Sequence, residues 1–478
     1  MKFTYPVLCL LLALIVACGT TFDLPSKAET ADWKTKTIDP TPQLLEGNPD
    51  SGFYYLVRGA YLGTGLPYAV MQKRVEQDPD AFAASSGLAT PYGFAVFESA
   101  YGVEVMNGTC FSCHAGKVNG ELILGIGNSL NDNQGSLKLP AKLMNWQVRR
   151  KYKRDTATIQ SFDAFGKFFS AMAPYIQMNN PAVNPAARIA EACMRYRNPT
   201  DLTYTAEAQY PVREYNLGSD IPALWHLQKK NALYYTAVGR GDFTKLLFQA
   251  SVLGIEDSTA ARLAQEKFVH ITAWIRSLEP PAYPKAIDQE LASQGEAVFT
   301  EHCSSCHGTY GEEETYPNKV VAVDAIGTDP LYADYAVDSK IVDWYNKSWF
   351  ATSTPQSWFE PEHGYIAPPL DGIWATAPYL HNGAVPDLYS VLFSAARPTY
   401  WERSKDSKDF NWKEIGWLYE EKNSGGGRLT YDTTLPGYAN TGHYYGDKLT
   451  EDERWAVLEY LRGYKPLAEK QNPHFIPK

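Results

Sequence analysis

The chain has 478 residues, 44% apolar and 21% charged, a globular composition long enough for two or three domains with cores of their own and unlike that of a disordered polymer. A formal charge of −10 and a pI near 5.5 argue against nucleic acid or an anionic membrane surface as a partner, and no basic run reverses this. The 32 Tyr and 12 Trp suit a protein that wraps large flat groups, although aromatic cores need no such reason.

From the start of the chain, Met1-Lys2 leads into an apolar run, Val7 to Val16, too short to span a bilayer but right for a secretory signal. It ends Ile15-Val16-Ala17-Cys18, which resembles the lipobox of bacterial lipoproteins. That implies cleavage before Cys18 and acylation there, hence a membrane-anchored, exported chain. Gly19 rather than Asp follows, which points to a periplasmic or outer-membrane lipoprotein. Residues 19–42, with Pro25, Pro40 and Pro42, read as a flexible tether. Beyond residue 18 no stretch approaches the roughly 18 apolar residues of a membrane span.

The folded body starts near residue 43. Pro91-Tyr92-Gly93-Phe94 through Phe97 and Tyr101 reads as a helix and loop leading to Cys110-Phe-Ser-Cys113-His114. The same pattern returns as Cys303-Ser-Ser-Cys306-His307. Outside the cytoplasm, Cys-x-x-Cys-His is the attachment sequence of a c-type haem. The thiols three apart reach one face of a helical turn and add to the two vinyl groups of one porphyrin, and the histidine becomes the proximal iron ligand. A zinc site would need a second Cys/His pair at ribbon or finger spacing, which is missing nearby. A redox dithiol needs no histidine in the next position. Of the seven cysteines, Cys193 alone is left over in the body, as a small buried hydrophobe. Cys110, Cys113, His114, Cys303, Cys306 and His307 are therefore the candidates for binding two covalent haems.

Between the motifs, segments 140–180 and 185–200 carry helical spacing broken by prolines. Then come Trp225-His226, Tyr234-Tyr235 and Gly239-Arg240-Gly241-Asp242. Phe268 to Leu278 reads as a helix stopped by Pro280-Pro281, which sets a boundary near residue 284. Leu291 to Phe299 opens a second unit, with Gly295 small enough to admit a crossing helix, and Glu451 to Leu461 closes it. The domains expected are 1–18 signal peptide and lipobox, 19–42 tether, 43–284 N-terminal haem c domain and 285–478 C-terminal haem c domain. The fold expected is mostly α: two cytochrome c-like helical domains with long loops, each around one covalent haem.

A haem with a free sixth position binds oxygen or peroxide, whereas one with two protein ligands mainly transfers electrons. All seven methionines lie at or before Met194, so the second haem turns to histidine. Beyond His307 the choices are His363, His381, His443 and His474. His443, in a loop just ahead of the last helix, is the first choice as distal ligand, with His381 as the alternative. Trp225, Tyr234 and Tyr235 are candidates for the distal pocket of the first haem or for a bridge between haems; plain packing explains them equally well. His270, in an apolar helix, reads as a core histidine.

The segment from Ala367 to Pro386, APPLDGIWATAPYLHNGAVP, with Asn231 to Asp242, Pro386-Asp387-Leu388-Tyr389 and Gly442-His443, resembles the superfamily of bacterial di-haem cytochrome c peroxidases, MauG and di-haem rubber oxygenases, closest to the rubber-oxygenase-like branch. The resemblance implies a catalytic N-terminal haem and a C-terminal bis-His haem relaying electrons, with His443 as the second ligand and His381 lining the pocket. Two departures weaken a direct transfer of activity: no Trp-Asp-Gly-Arg segment supplies the peroxidase distal glutamate, and the chain is shorter than the rubber oxygenases. The bridging calcium of peroxidase relatives has no support in residue spacing. The function expected is thus an exported di-haem oxidoreductase acting on dioxygen or peroxide, with a protein or quinol as electron partner and a small-molecule oxidant or organic substrate. Its rival is a pure electron-transfer lipoprotein.

Overall fold

Four capped helices make two crossing pairs. The first pair is Pro49–Arg58 and Ser258–Arg276; the second is Gln289–His302 and Glu451–Arg462. Each starts on a residue whose side chain accepts backbone N–H groups: Asn48, Asp257, Asp288, and Thr450 in a capping box with Glu453. Such caps contribute about 1 kcal/mol each. The crossings are close because a glycine stands at each. A Cβ at Gly52 would collide with the carbonyl oxygen of His270, and one at Gly295 with that of Ala456. Around them pack Trp274, Phe268 and Ile271 in the first pair and Phe299 against Tyr460, ring centroids 5.3 Å apart, in the second.

The computed structural model describes residues 32–463, apart from 60, 76–80, 84–88, 92, 214 and 312–313. The expected signal peptide, the anchor Cys18, tether residues 19–31 and His474 lie outside the described residues.

The expectation of a mostly helical protein is overturned. The chain is mixed α/β, 40% helix and 14% strand, with 16 helices and several small sheets among the described residues. Much of what read as loop is short antiparallel pairing. Phe94–Glu98 pairs with Glu104–Gly108, where a helix and loop were expected; three consecutive side chains in each strand, 95 to 97 and 105 to 107, are buried, so both faces of the pair are covered. Ala115–Val118 pairs with Glu121–Leu124 directly after the first haem motif.

Two sheets join the halves of the chain. Gly239–Gly241 pairs with Ser357–Phe359. Thr35–Thr37, expected within the flexible tether, is a strand against Lys319–Ala322, which in turn pairs with Gly364–Ile366. Lys36 fastens it by an ion pair of 2.6 Å to Glu362. No helix among the described residues is long and apolar enough to cross a membrane.

Candidate haem-binding centres

Cys303 follows the Gln289–His302 helix, and the next turn, Ser304–His307, brings Cys306 and His307 round to it: the backbone N–H groups of both donate to the Cys303 carbonyl at 3.1 Å. Gly308, at φ 83°, lets the chain turn away. His307 Nδ1 lies 2.8 Å from the Pro368 carbonyl oxygen. A carbonyl only accepts, so Nδ1 carries the proton and Nε2 is left for a metal. Burial lowers the pKa of the ring, which favours the neutral, ligating form.

His443 faces it. The two rings stand with centroids 6.2 Å apart and planes at 62°, a separation that accommodates one metal ion with metal–nitrogen bonds of about 2 Å. His443 sits in the left-handed region at φ 54°, after Gly442 at φ 80°. The neighbours over-determine that conformation. The His443 N–H donates to Ile326 O at 2.9 Å. The Arg397 guanidinium donates to the carbonyls of Asn440 and Gly442 at 2.7 Å and of His443 at 3.3 Å. A side chain at 442 would strike the Thr328 nitrogen. Burial, helped by His307 and Arg397, pushes the His443 imidazole down to about 3.

At the first centre the turn Phe111–His114 lies between the two hairpins, and the N–H groups of Cys113 and His114 donate to the Cys110 carbonyl at 3.2 and 2.8 Å. Burial pushes the Cys110 thiol up to about 11 and the His114 imidazole down to about 4. Yet Cys110, Cys113 and His114 remain partly accessible. These three side chains are thus deep in the fold yet not sealed from its surface. His114 Nδ1 is buried without a hydrogen-bond partner, and the carbonyl acting on the ring is that of Pro222. Among the described residues no histidine ring faces His114.

One turn is built twice. Leu233 and Gly239 exchange backbone hydrogen bonds, as do Tyr379 and Val385. Inside each, the second residue is left-handed, Tyr234 at φ 71° and Leu380 at φ 66°, and so is the fifth, Ala237 at φ 53° and Gly383 at φ 72°. The copies are exchanged between the halves: Asp220 N–H donates to His381 O at 2.7 Å and Ile366 N–H to Tyr235 O at 2.8 Å. In this register Pro222 corresponds to Pro368, so the carbonyls of two equivalent prolines act on the rings of His114 and His307.

The sequence candidates separate accordingly. Trp225 is buried, its indole N–H donating to Asp371 O at 2.9 Å. His226 Nε2 bonds the same oxygen at 2.7 Å, and Lys229 pairs with the Asp371 carboxylate and with Glu314. Tyr234 directs its hydroxyl to Leu246 O and Gln249 and packs on Phe359, in the core rather than at a haem motif. Tyr235 donates to Asp220 at 3.3 Å. His381 is buried among Tyr235, Tyr332 and Tyr365, with Nε2 unpartnered and its pKa pushed by burial down to about 3. His443, not His381, faces His307. Other histidines are engaged: His270 accepts the Asn48 N–H at 2.9 Å at a half-buried position, and His363 bonds Asp334 at 2.7 Å. Among the described residues no group of three His, Cys, Asp or Glu side chains is placed to hold a metal ion.

Sequence reasoning missed Arg397 and Lys230. Lys230 is pushed by burial down to about 8 and acts on both His114 and His226, with no carboxylate paired to it among the described residues. Neither has a motif around it; their roles come from tertiary placement.

Two curated proteins of Sinorhizobium fredii (strain NBRC 101917 / NGR234), both named as uncharacterized, are similar to this chain. Protein y4iJ is 29% identical over 251 residues, 39% of this chain and 41% of its own length. Protein y4iM is 27% identical over 283 residues, 52% of this chain and 63% of its own length. The chain thus spans less than two thirds of the curated relatives it matches. Residues 364–402, which hold Pro368, Asp371 and His381, match the RoxA-like, cytochrome c-like family; this likeness supports the rubber-oxygenase-like cytochrome c branch and, with it, haem c, iron and a haem-containing oxidoreductase type of protein.

Proposed function

We propose that this is an exported di-haem c-type oxidoreductase in which the first centre, Cys110, Cys113 and His114, handles dioxygen or peroxide, and the second, Cys303, Cys306, His307 and His443, relays electrons. The observation that carries the reading is an asymmetry: His307 has an imidazole facing it at 6.2 Å, and His114 has none among the described residues. A bound c-type haem supplies a one-electron iron centre and, where a coordination position is open, a place for oxygen or peroxide.

The chain's own groups do the rest. Pro368 holds the His307 tautomer, and Arg397 holds the loop that presents His443. Trp225, three residues after Pro222, donates its indole N–H to Asp371, three residues after Pro368, and this link between the two segments suits it to electron transfer between the centres. Lys230 offers an uncompensated cation for an anionic group at the first centre, such as a haem propionate. The proposal includes export and acylation at Cys18, with a donor protein or quinol outside the cytoplasm.

The test is carbon monoxide binding to the reduced protein with its haems attached. One haem per chain is expected to bind it, with the other staying low-spin. If neither binds, the protein is an electron-transfer lipoprotein without a catalytic haem.

A further inference from the structure

The helix Lys138–Lys151 and the residues after it are unlike the rest of the molecule. In a chain of net charge −10, Lys138, Lys142, Arg149, Arg150, Lys151, Lys153 and Arg154 follow one another with no Asp or Glu until Asp155. All but Arg149 are exposed, and Arg149 is tied to Asp163 at 2.8 Å. This reverses the sequence-based expectation that no basic run offsets the acidic whole.

The same helix carries an exposed apolar stripe. Leu139 is 63% exposed, Leu143 48% and Trp146 55%; spaced four and three apart, they lie on one face. Ala141 and Val148 on the opposite face are buried against the body. The Arg150 guanidinium stands 5.0 Å above the Trp146 ring. Beside it lies a depression of ≈ 490 Å³ bounded by Ala69, Val70 and Trp146. Scattered exposed leucines need no explanation, but two leucines and a tryptophan in line, framed by cations, do.

We propose that this helix is a peripheral docking surface for an anionic phospholipid bilayer, lying in the interface with Leu139, Leu143 and Trp146 immersed among the acyl chains and the lysines and arginines on the phosphates. Tryptophan is at home at that depth, and lysine and arginine reach back to the headgroups along their apolar stems. The charge complementarity is with a polyanion, and the apolar stripe favours a lipid surface over an acidic protein, whose polar face would leave the leucines unserved.

The test uses the full chain with its haems and with Cys18→Ser, so that acylation does not mask the contact. It is mixed with vesicles of phosphatidylglycerol and phosphatidylethanolamine or of phosphatidylcholine and sedimented. Binding to the anionic vesicles alone is expected. Lys142→Glu with Arg150→Glu and Lys153→Glu should weaken it by about a hundredfold, since each cation near such a surface contributes roughly fivefold. Leu139→Ser with Leu143→Ser and Trp146→Ser should weaken it by at least about tenfold. These side chains are outside the core, so an unchanged melting temperature and haem spectrum will show that the variants fold; Trp146→Ser alone serves if the triple variant does not. No binding to anionic vesicles, or unchanged binding by the Ser variants, overturns the proposal. Sensitivity to charge with competition by an acidic protein would identify a protein partner instead.

Discussion

Trp225 and Asp371 occupy equivalent positions in the two copies of one turn-forming segment, and the indole N–H of the first donates to the carbonyl of the second at 2.9 Å. His226 and Lys229 bind the same aspartate from the neighbouring positions. The halves are therefore clasped where the repeat meets itself, between the segments whose prolines face His114 and His307.

Trp225→Phe keeps most of the buried ring and removes the donor. We expect a loss of about 1 kcal/mol, read from the urea midpoint, with both haem spectra intact. If the indole carries electrons between the centres, re-equilibration after photolysis of the carbon monoxide complex slows in the same variant.

His443→Ala removes the ring facing His307 and should turn the second iron high-spin, seen by electron paramagnetic resonance. His381→Ala should leave it low-spin, since that ring lies among Tyr235, Tyr332 and Tyr365. The reverse pattern would give the ligand role to His381.

Gly295→Ala forces the Gln289–His302 helix away from Ala456. Because a carbonyl oxygen, not a flexible side chain, blocks the space, overpacking should cost about 3 kcal/mol. The melting temperature reports this, and Gly52→Ala should behave alike at His270.

Asp220 provides a pH signature. Burial pushes its carboxyl up to about 8 from an ordinary 3.8, so the native state binds the proton more tightly than the unfolded chain. The stabilisation is complete below about pH 4 and is lost as pH rises toward about 8, by at most about 1.4 kcal/mol per unit. Asp220→Asn should flatten stability between about pH 5 and about pH 8, as measured by chemical denaturation. An equally steep decline in the variant would assign the dependence to another group.

The sequence announces chemistry and crossings more plainly than architecture. Cys-x-x-Cys-His stands out in the letters because covalent haem attachment would demand those residue types at that spacing, and Gly295 with Phe299 declares a helix crossing because only a glycine fits there. The hairpins around Cys110 stay hidden because each strand is four or five residues long, too short for a period of two to stand out. The repeated turn is hidden further. Its copies share a proline and backbone dihedrals while the facing side chains differ, Trp225 against Asp371 and Tyr235 against His381. The basic helix is readable in the letters Arg149 to Arg154, but a whole-chain charge of the opposite sign conceals it.

The strand Thr35–Thr37 dictates an order of events. Its partner is Lys319–Ala322, and Lys36 meets Glu362 across 326 positions. Closing so long a loop is entropically costly before any contact rewards it, so this edge cannot form until residues 319 to 362 are in place. A chain ending before residue 319 should therefore remain protease-sensitive at Thr35–Thr37 even where its first half is folded.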